Sequence, residues 1–232
     1  MLTNKQLIEQ IIDLDLSFTE ENYLKIIYHL HHKDENVLTN SIAEALDTKP
    51  STVSDMLKKL SSKKLVNYEK YKGVTLTQEG QLAALWVIRK HRLWEVFLLE
   101  KLKFSWDEVH EVAEQLEHIK SKSLIDKLDQ FLGFPKKDPH GDPIPDSEGN
   151  IENIVLIPLS DSILGRMMQV STVKSDNKSF LQYLDKVGIK IGSLVKIVEK
   201  IEYDGSLEIE LNKSSRIIIS AKVAENILVE NA

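Results

Sequence analysis

The chain contains no cysteine among its 232 residues. Disulfides, thiolate zinc sites and iron–sulfur clusters are therefore excluded, and any metal must be held by nitrogen and oxygen ligands. No apolar run approaches the roughly 18 residues of a membrane span. The N-terminal stretch, with acids at Glu9 and Asp13, has no signal-peptide apolar core. A cytoplasmic protein with no membrane partner is expected. Fixed-period repeats are missing, and so is a uniformly basic coat, since 36 acids against 30 Lys and Arg leave a net charge of −6. The 42% hydrophobic content, with 28% charged residues, suits one large or two to three small cores, so disorder is not expected.

The charge that is present is unevenly spread. Residues 48–72 hold seven lysines and two acids, a local charge of +5, whereas residues 104–130 hold seven acids and three lysines, a local charge of −4. The basic stretch coincides with a helix-turn-helix pattern. A helix is expected to start with Thr19 as its N-cap, placing Asn22 near its first turn. A short helix over 41–46 is followed by Asp47-Thr48-Lys49 and by a second helix that Pro50 opens and that runs to Lys63. Segments 65–69 and 74–77 flank Lys70-Tyr71-Lys72-Gly73 as a hairpin, completing a winged helix. In that docking geometry Lys49, Ser51, Thr52 and Ser54 face base edges and Lys58, Lys59, Lys70 and Lys72 face phosphates of double-stranded DNA. Asp55 is awkward there, because a carboxylate repels phosphate unless it accepts from cytosine or points away. The alternative for each lysine is a solvated face.

The acidic stretch carries His110, Glu114, Glu117 and His118. On a helix, offsets of zero, four, seven and eight place these side chains on one stripe, roughly a quarter to a third of the circumference. Carboxylates so spaced repel one another, which favours a cation as the missing partner. His91 and Glu95 form a second i, i+4 pair on a long helix over 78–102, so two packed helical faces suit adjacent metal sites. A solvent-exposed polar face is the bland alternative. His29, His31 and His32 read as a hydrated helix end, and His140 has no evident partner. A helix over 121–132 stops at Gly133, and residues 136–150 have a linker's Pro and Gly content. Beyond residue 154, short alternating segments at 168–173, 194–201, 207–211 and 217–220, with one short helix, indicate a small β barrel.

Several segments together resemble the diphtheria toxin repressor family of metal-dependent transcriptional regulators, including its manganese-responsive branch. They are Glu21-Asn22-Tyr23-Leu24-Lys25-Ile26-Ile27-Tyr28, Ser51-Thr52-Val53-Ser54, Arg89-Lys90-His91-Arg92-Leu93, the run from Val109 to His118, and Gly141-Asp142-Pro143-Ile144-Pro145. The resemblance covers nearly the whole chain and implies a mainly α protein with a C-terminal β domain. Its parts would be a winged helix-turn-helix (1–77), a helical metal-binding and dimerisation domain (78–135), a Pro/Gly linker (136–153) and an SH3-like, FeoA-like β barrel (154–232). It implies one metal site from Asn22, Glu114, Glu117 and His118 and another from His91, Glu95 and His110, with Asp176 as a capping ligand from the C-terminal domain. Asn22 stands where relatives often have methionine or aspartate, Glu114 where iron-responsive members often have cysteine, and Lys25 where the manganese branch has an acid.

Oxygen and nitrogen donors suit Mn(II), with Fe(II) close behind and Co(II), Ni(II) or Zn(II) as substitutes. The implied function is a homodimeric repressor that binds palindromic operator DNA and silences metal-uptake genes when metal is abundant. On this reading carboxylates 114 and 117 repel until an ion neutralises them and ties Asn22 to Glu117. Two rivals remain at this point. A dinuclear metal-dependent hydrolase explains the ligands but not the lysine-rich winged helix, and a metal-independent winged-helix protein would use the acidic helix only as a dimer surface.

Overall fold

In the computed structural model, which describes residues 3–31, 36–152, 154–175 and 177–232, Thr3 and Gln6 form a capping box that opens α1 (Asn4–Asp13). The sequence reading did not anticipate this helix. A second capping box starts α2 (Phe18–His31): the Ser17 amide donates to Glu20 Oε2 (2.8 Å) and the Glu20 amide to Ser17 Oγ (3.3 Å). Ser17, not Thr19, is therefore the cap. The reciprocal Ser/Glu pair at i, i+3 satisfies two orphan amides at once and decides the start.

The basic segment folds as expected from its turn residues. α3 (Thr39–Ala45) leads through Asp47, which takes φ +45°, into α4 (Pro50–Ser62), with Pro50 in the first turn where its missing N–H costs nothing. β1 (Val66–Glu69) and β2 (Gly73–Leu76) pair antiparallel, Val66 opposite Leu76 and Glu69 opposite Gly73. Leu24, Ile27, Ile42, Val53, Leu57, Leu60 and Leu65 are all inaccessible to solvent and form this core. Each such burial contributes about 1.5–3 kcal/mol against exposure. α5 (Gln78–Glu100) then starts hard against the residue before the hairpin. A Cβ at Gly80 would sit 1.8 Å from the Leu65 carbonyl oxygen, so only glycine permits that approach.

α6 (Val109–Leu116) is shorter than the stripe, and α7 (Lys122–Phe131) follows, capped by Ser121. Glu117 and His118 consequently lie in the turn after α6 instead of on its surface. The chain has to leave helical register there because Ser121 begins the next helix only five residues after Leu116.

The molecule divides into two compact units. One contains Met1–Leu93, Glu114–Phe134 and Pro145–Ile151; the other contains Trp94–Ala113, Pro135–Ile144 and Glu152–Ala232. The second unit holds a six-stranded antiparallel sheet of order β3 (Ile157–Pro158), β8 (Ile227–Asn231), β4 (Met167–Val173), β5 (Leu194–Lys200), β6 (Leu207–Leu211) and β7 (Ser215–Ile219). Register shifts at Val170/Thr172 and Ile197/Glu199 bend it, as bulges do. α8 (Lys178–Val187) and α9 (Ala221–Asn226) complete the β domain, with Leu181, Leu184 and Ala224 in its core. This is the expected mainly α fold with a C-terminal, SH3-like β domain.

The segment read as a linker is built into the structure. In the second unit Lys137 bridges Pro143, and Asp138, His140 and Ile144 are buried. Gly141 takes φ +89° with its α-carbon so close to β4 that a Cβ would meet the Ser171 carbonyl oxygen at 1.8 Å. In the first unit the Pro145 carbonyl accepts from buried Arg89 Nη1 (2.7 Å), whose Nη2 pairs with Asp129 (2.7 Å). Proline and glycine here shape tight turns around buried polar groups instead of providing slack.

Candidate metal centre and nucleic-acid interface

In the second unit, Glu95 on α5 is 2% exposed and faces two imidazoles: His110 Nδ1 at 3.4 Å and His140 Nδ1 at 3.6 Å. Asp138 joins them. Glu95, Asp138 and His140 are all buried, and one ligand-type atom from each lies within 4.8 Å of the others. Asp138 Oδ1 accepts the backbone amides of His140 (2.8 Å) and Asp142 (3.0 Å), which fixes the carboxylate. His140 Nε2 donates to the Trp106 carbonyl (2.9 Å) and stacks beside the Trp106 ring. Burial alone would lower the His140 pKa, but the hydrogen bond and charge of Glu95, helped by Asp138 and the Trp106 carbonyl, raise it to about 9. Two buried carboxylates around one imidazole attract positive charge strongly. His140, read as having no evident partner, thus has three, because its segment turns it toward Glu95 on α5 and the Trp106 carbonyl, with Asp138 beside it.

The stripe residues Glu114, Glu117 and His118 lie in the first unit together with Asn22 and His91. Glu117 is inaccessible to solvent, and both its oxygens are engaged: Oε1 and Oε2 accept from Lys25 Nζ (2.6 and 2.9 Å), and Oε2 is 2.6 Å from His91 Nδ1. Glu114 Oε1 is 3.6 Å from the same ammonium. The expected repulsion between carboxylates 114 and 117 is therefore already relieved by Lys25, a partner 92 residues away in sequence from Glu117. Burial pushes the Glu117 pKa up, but His91 and Lys25 together hold it below the usual carboxylate range. His118 Nδ1 donates to Glu21 Oε2 (2.6 Å), which turns Nε2 toward Glu117 Oε1 (3.8 Å); Phe18 stacks on the ring. Glu21 is held in turn by buried Lys90 (3.0 Å). This is the orienting arrangement of a metal-ligating histidine, with a carboxylate behind the ring.

Asn22 Oδ1 is buried with no hydrogen-bond partner in the structure. An orphaned carbonyl-type oxygen costs about 1–3 kcal/mol unless something positive meets it. Together with the sulfur-free sets around Glu95 and Glu117, it fits a hard divalent cation. His91 and Glu95 stand one turn apart on α5. Asp176 lies outside the described residues.

α2 also reaches α4. Glu20, 2% exposed, forms an ion pair with Lys63 Nζ (2.7 Å) and lies 3.4 Å from Lys59 Nζ. Burial would raise its pKa, yet the Lys63 and Ser17 hydrogen bonds lower it from 4.5 to about 2. A depressed carboxyl pKa stabilises the fold above the unfolded value, so this contribution is complete above about pH 4.5 and is lost as pH falls toward 2. Glu20→Gln is expected to weaken that acid limb in pH-dependent thermal melts. An unchanged melting profile between pH 5 and 2.5 would contradict the assignment.

Lys49, Ser51 and Thr52 are exposed at the start of α4, as are Lys58 along it and Lys70 and Lys72 at the hairpin tip. Ser54 Oγ donates to the Pro50 carbonyl (3.0 Å). Lys59, expected at phosphate, is half-exposed and shared with Glu20. Asp55 pairs with Lys58 (2.9 Å), which answers its awkward charge. Between α4 and the hairpin runs a concave surface of about 320 Å³, lined by Pro50, Ser54, Tyr68, Lys70 and Tyr71. The two tyrosines were overlooked in the sequence; Tyr71 is 89% exposed beneath Lys70, and an aromatic at a hairpin tip was the available signal.

Known proteins with this arrangement identify the family. Residues 15–74 match the iron dependent repressor N-terminal DNA binding domain, residues 77–146 the iron dependent repressor metal binding and dimerisation domain, and residues 157–231 the FeoA domain. The diphtheria toxin repressor of Corynebacterium jeikeium (strain K411) is 30% identical over 189 residues, covering 80% of this chain and 77% of that protein. The chain belongs to the iron-dependent repressor family. The HTH-type transcriptional regulator MntR of Oceanobacillus iheyensis is 34% identical over 118 residues, 51% of this chain and 80% of that protein. A solved manganese-dependent transcriptional repressor in complex with manganese superposes with a TM-score of 0.83 at 32% identity, covering 92% of this chain and all of that one. This repressor is thus a metal-dependent, DNA-binding transcriptional regulator and not an enzyme, so the hydrolase alternative falls. Among the described residues no helix is long and apolar enough to cross a membrane.

Within the repressor, Asp138 and His140 are the candidate ligands that sequence reasoning missed. The sequence Asp138-Pro139-His140 does carry a signal, two metal-ligand side chains held two residues apart by a proline.

Proposed function

We propose that the repressor is a cytoplasmic homodimer that binds palindromic operator DNA with Mn(II) as corepressor and controls metal-uptake genes. The observation that carries the metal assignment is the buried Glu95, Asp138 and His140 cluster: two carboxylates and one imidazole, without sulfur, favour Mn(II) over softer choices, with Fe(II) next. Co(II), Ni(II) and Zn(II) are expected to substitute, since intrinsic affinity alone favours the later metals. We assign as further ligands His110 and His91 beside Glu95, and Asn22, Glu114, Glu117 and His118 in the first unit. In this reading 1–77 reads DNA, 78–135 dimerises and binds metal, 136–153 adds Asp138 and His140 to the metal cluster instead of only connecting, and 154–232 is the β domain.

A bound ion supplies positive charge that carboxylates and imidazoles can share. The chain's own residues convert that into DNA affinity through α2. Glu20 grips the end of α4, Asn22 presents its unpartnered oxygen, and Glu21 and Lys25 hold His118 and Glu117. Fixing one side of α2 therefore fixes the pose of the helix that enters the groove. In a two-fold dimer both α4 helices must meet half-sites about one helical turn, or a multiple, apart, so small reorientations decide affinity.

The test is fluorescence anisotropy with DNA from upstream of metal-transport genes, first in Mn(II) and then in chelator. Mn(II) is expected to tighten binding roughly 5- to 150-fold. Equal affinity in both conditions would return the protein to the metal-independent reading. Lys58→Ala is expected to weaken all sequences alike and to reduce the slope of log affinity against log salt by about one.

A further inference from the structure

Glu117 is the point where the first unit's candidate ligands meet, and its carboxylate is already taken. Lys25 Nζ spans both oxygens at 2.6 and 2.9 Å and reaches toward Glu114 at 3.6 Å. The lysine side chain is 11% exposed, so this is a desolvated pair, in which two charges attract far more strongly than in water. His118 stands beside the same carboxylate, with Nε2 turned toward it, and Asn22, three residues before Lys25 on α2, has a buried unpartnered oxygen. An ammonium and a divalent ion cannot both take the Glu117 oxygens at short range.

We infer that Lys25 is a specificity-determining competitor of the ion, holding Glu117 until a divalent cation displaces it and so setting the metal concentration at which the set of Asn22, Glu114, Glu117 and His118 fills. This rests on the reading of those four residues as a metal site. Its consequence is a built-in threshold. In scarce metal the chain neutralises its own buried carboxylate and remains folded; in abundant metal the ammonium is released toward solvent and α2 is held by the ion instead.

The full-length protein tests this without DNA. Titration calorimetry with Mn(II) alone is expected to show one class of sites tightened roughly 5- to 150-fold in Lys25→Gln, while Lys25→Arg, which keeps the charge, retains the wild-type value. Metal-free Lys25→Gln should also melt below wild type and regain more on adding Mn(II). In case that variant does not fold, acylation of the wild type by an amine-reactive ester, read by mass spectrometry, provides a second measurement. Lys25 should label slowly in chelator and faster in saturating Mn(II), with exposed Lys58 as the internal reference. Equal Mn(II) affinity in wild type and Lys25→Gln, or Lys25 labelling indifferent to metal in a protein that binds it, overturns the inference and leaves the metal site standing. Absence of Mn(II) binding in both proteins overturns the inference and the site together.

Discussion

Glu95→Gln is expected to disconnect operator binding from metal. Glu95 faces both His110 and His140 within the second unit, and it is buried at 2% exposure. Glutamine has the same shape, so the core around α5 is retained, but the donor set of Glu95, Asp138 and His140 loses half of its negative charge. Replacing an ionised ligand by a neutral amide is expected to lower Mn(II) affinity at least as much as losing an outer partner does, about 10- to 100-fold. Because coupling between ligands is reciprocal, the roughly 5- to 150-fold gain in operator affinity should shrink with it. Anisotropy titrations at fixed Mn(II) measure the second quantity and calorimetry the first. A wild-type metal response from a folded Glu95→Gln protein would remove this cluster from the mechanism. The substitution also takes away the largest influence raising the His140 pKa, so that pKa should fall from about 9, which histidine resonances followed against pH can report without any metal.

The sequence placed most elements because their boundaries are local. Pro50 opens α4, the lysine-rich tip closes the hairpin, and the alternating strands 168–173 and 207–211 reappear as β4 and β6. Its failures are non-local. The stripe was drawn on one continuous helix, whereas α6 stops at Leu116 and throws Glu117 inward, toward Lys25 on α2 and His91 on α5. No spacing rule relates residue 25 to residue 117, so the ammonium between two supposedly repelling acids was invisible. Composition misled at residues 136–150, where proline and glycine signalled slack but serve to turn Asp138 and His140 into the interior. The ligand types were readable, but the addition of Asp138 and His140 beside Glu95 was not, because it depends on where the segment 135–144 folds.

Glu117→Ala is expected to be the most damaging single change in the first unit. It leaves Lys25 buried without its carboxylate and removes the partner of His91 Nδ1. Breaking a buried pair by removing one member costs about 3–5 kcal/mol, because the remaining charge has been taken out of water, and Lys25 is left with the more distant, exposed Glu114 at 3.6 Å. For a chain of this length each kcal/mol lowers Tm by about 2–4 °C, so a fall of roughly 6–20 °C is expected in the metal-free protein. Glu117→Leu combined with Lys25→Met removes both charges and fills the volume, and by the same argument should recover most of that loss. A double-mutant cycle with the two single changes then reports the pair itself. Melts that show each single change as mild as the double would mean that Lys25 and Glu117 are solvated in solution. Recovery of stability in the double variant should come without recovery of metal-dependent operator binding, since a leucine supplies no ligand. Stability and regulation would then separate at one residue: Glu117 keeps the fold by meeting Lys25 and serves the switch by being able to let it go.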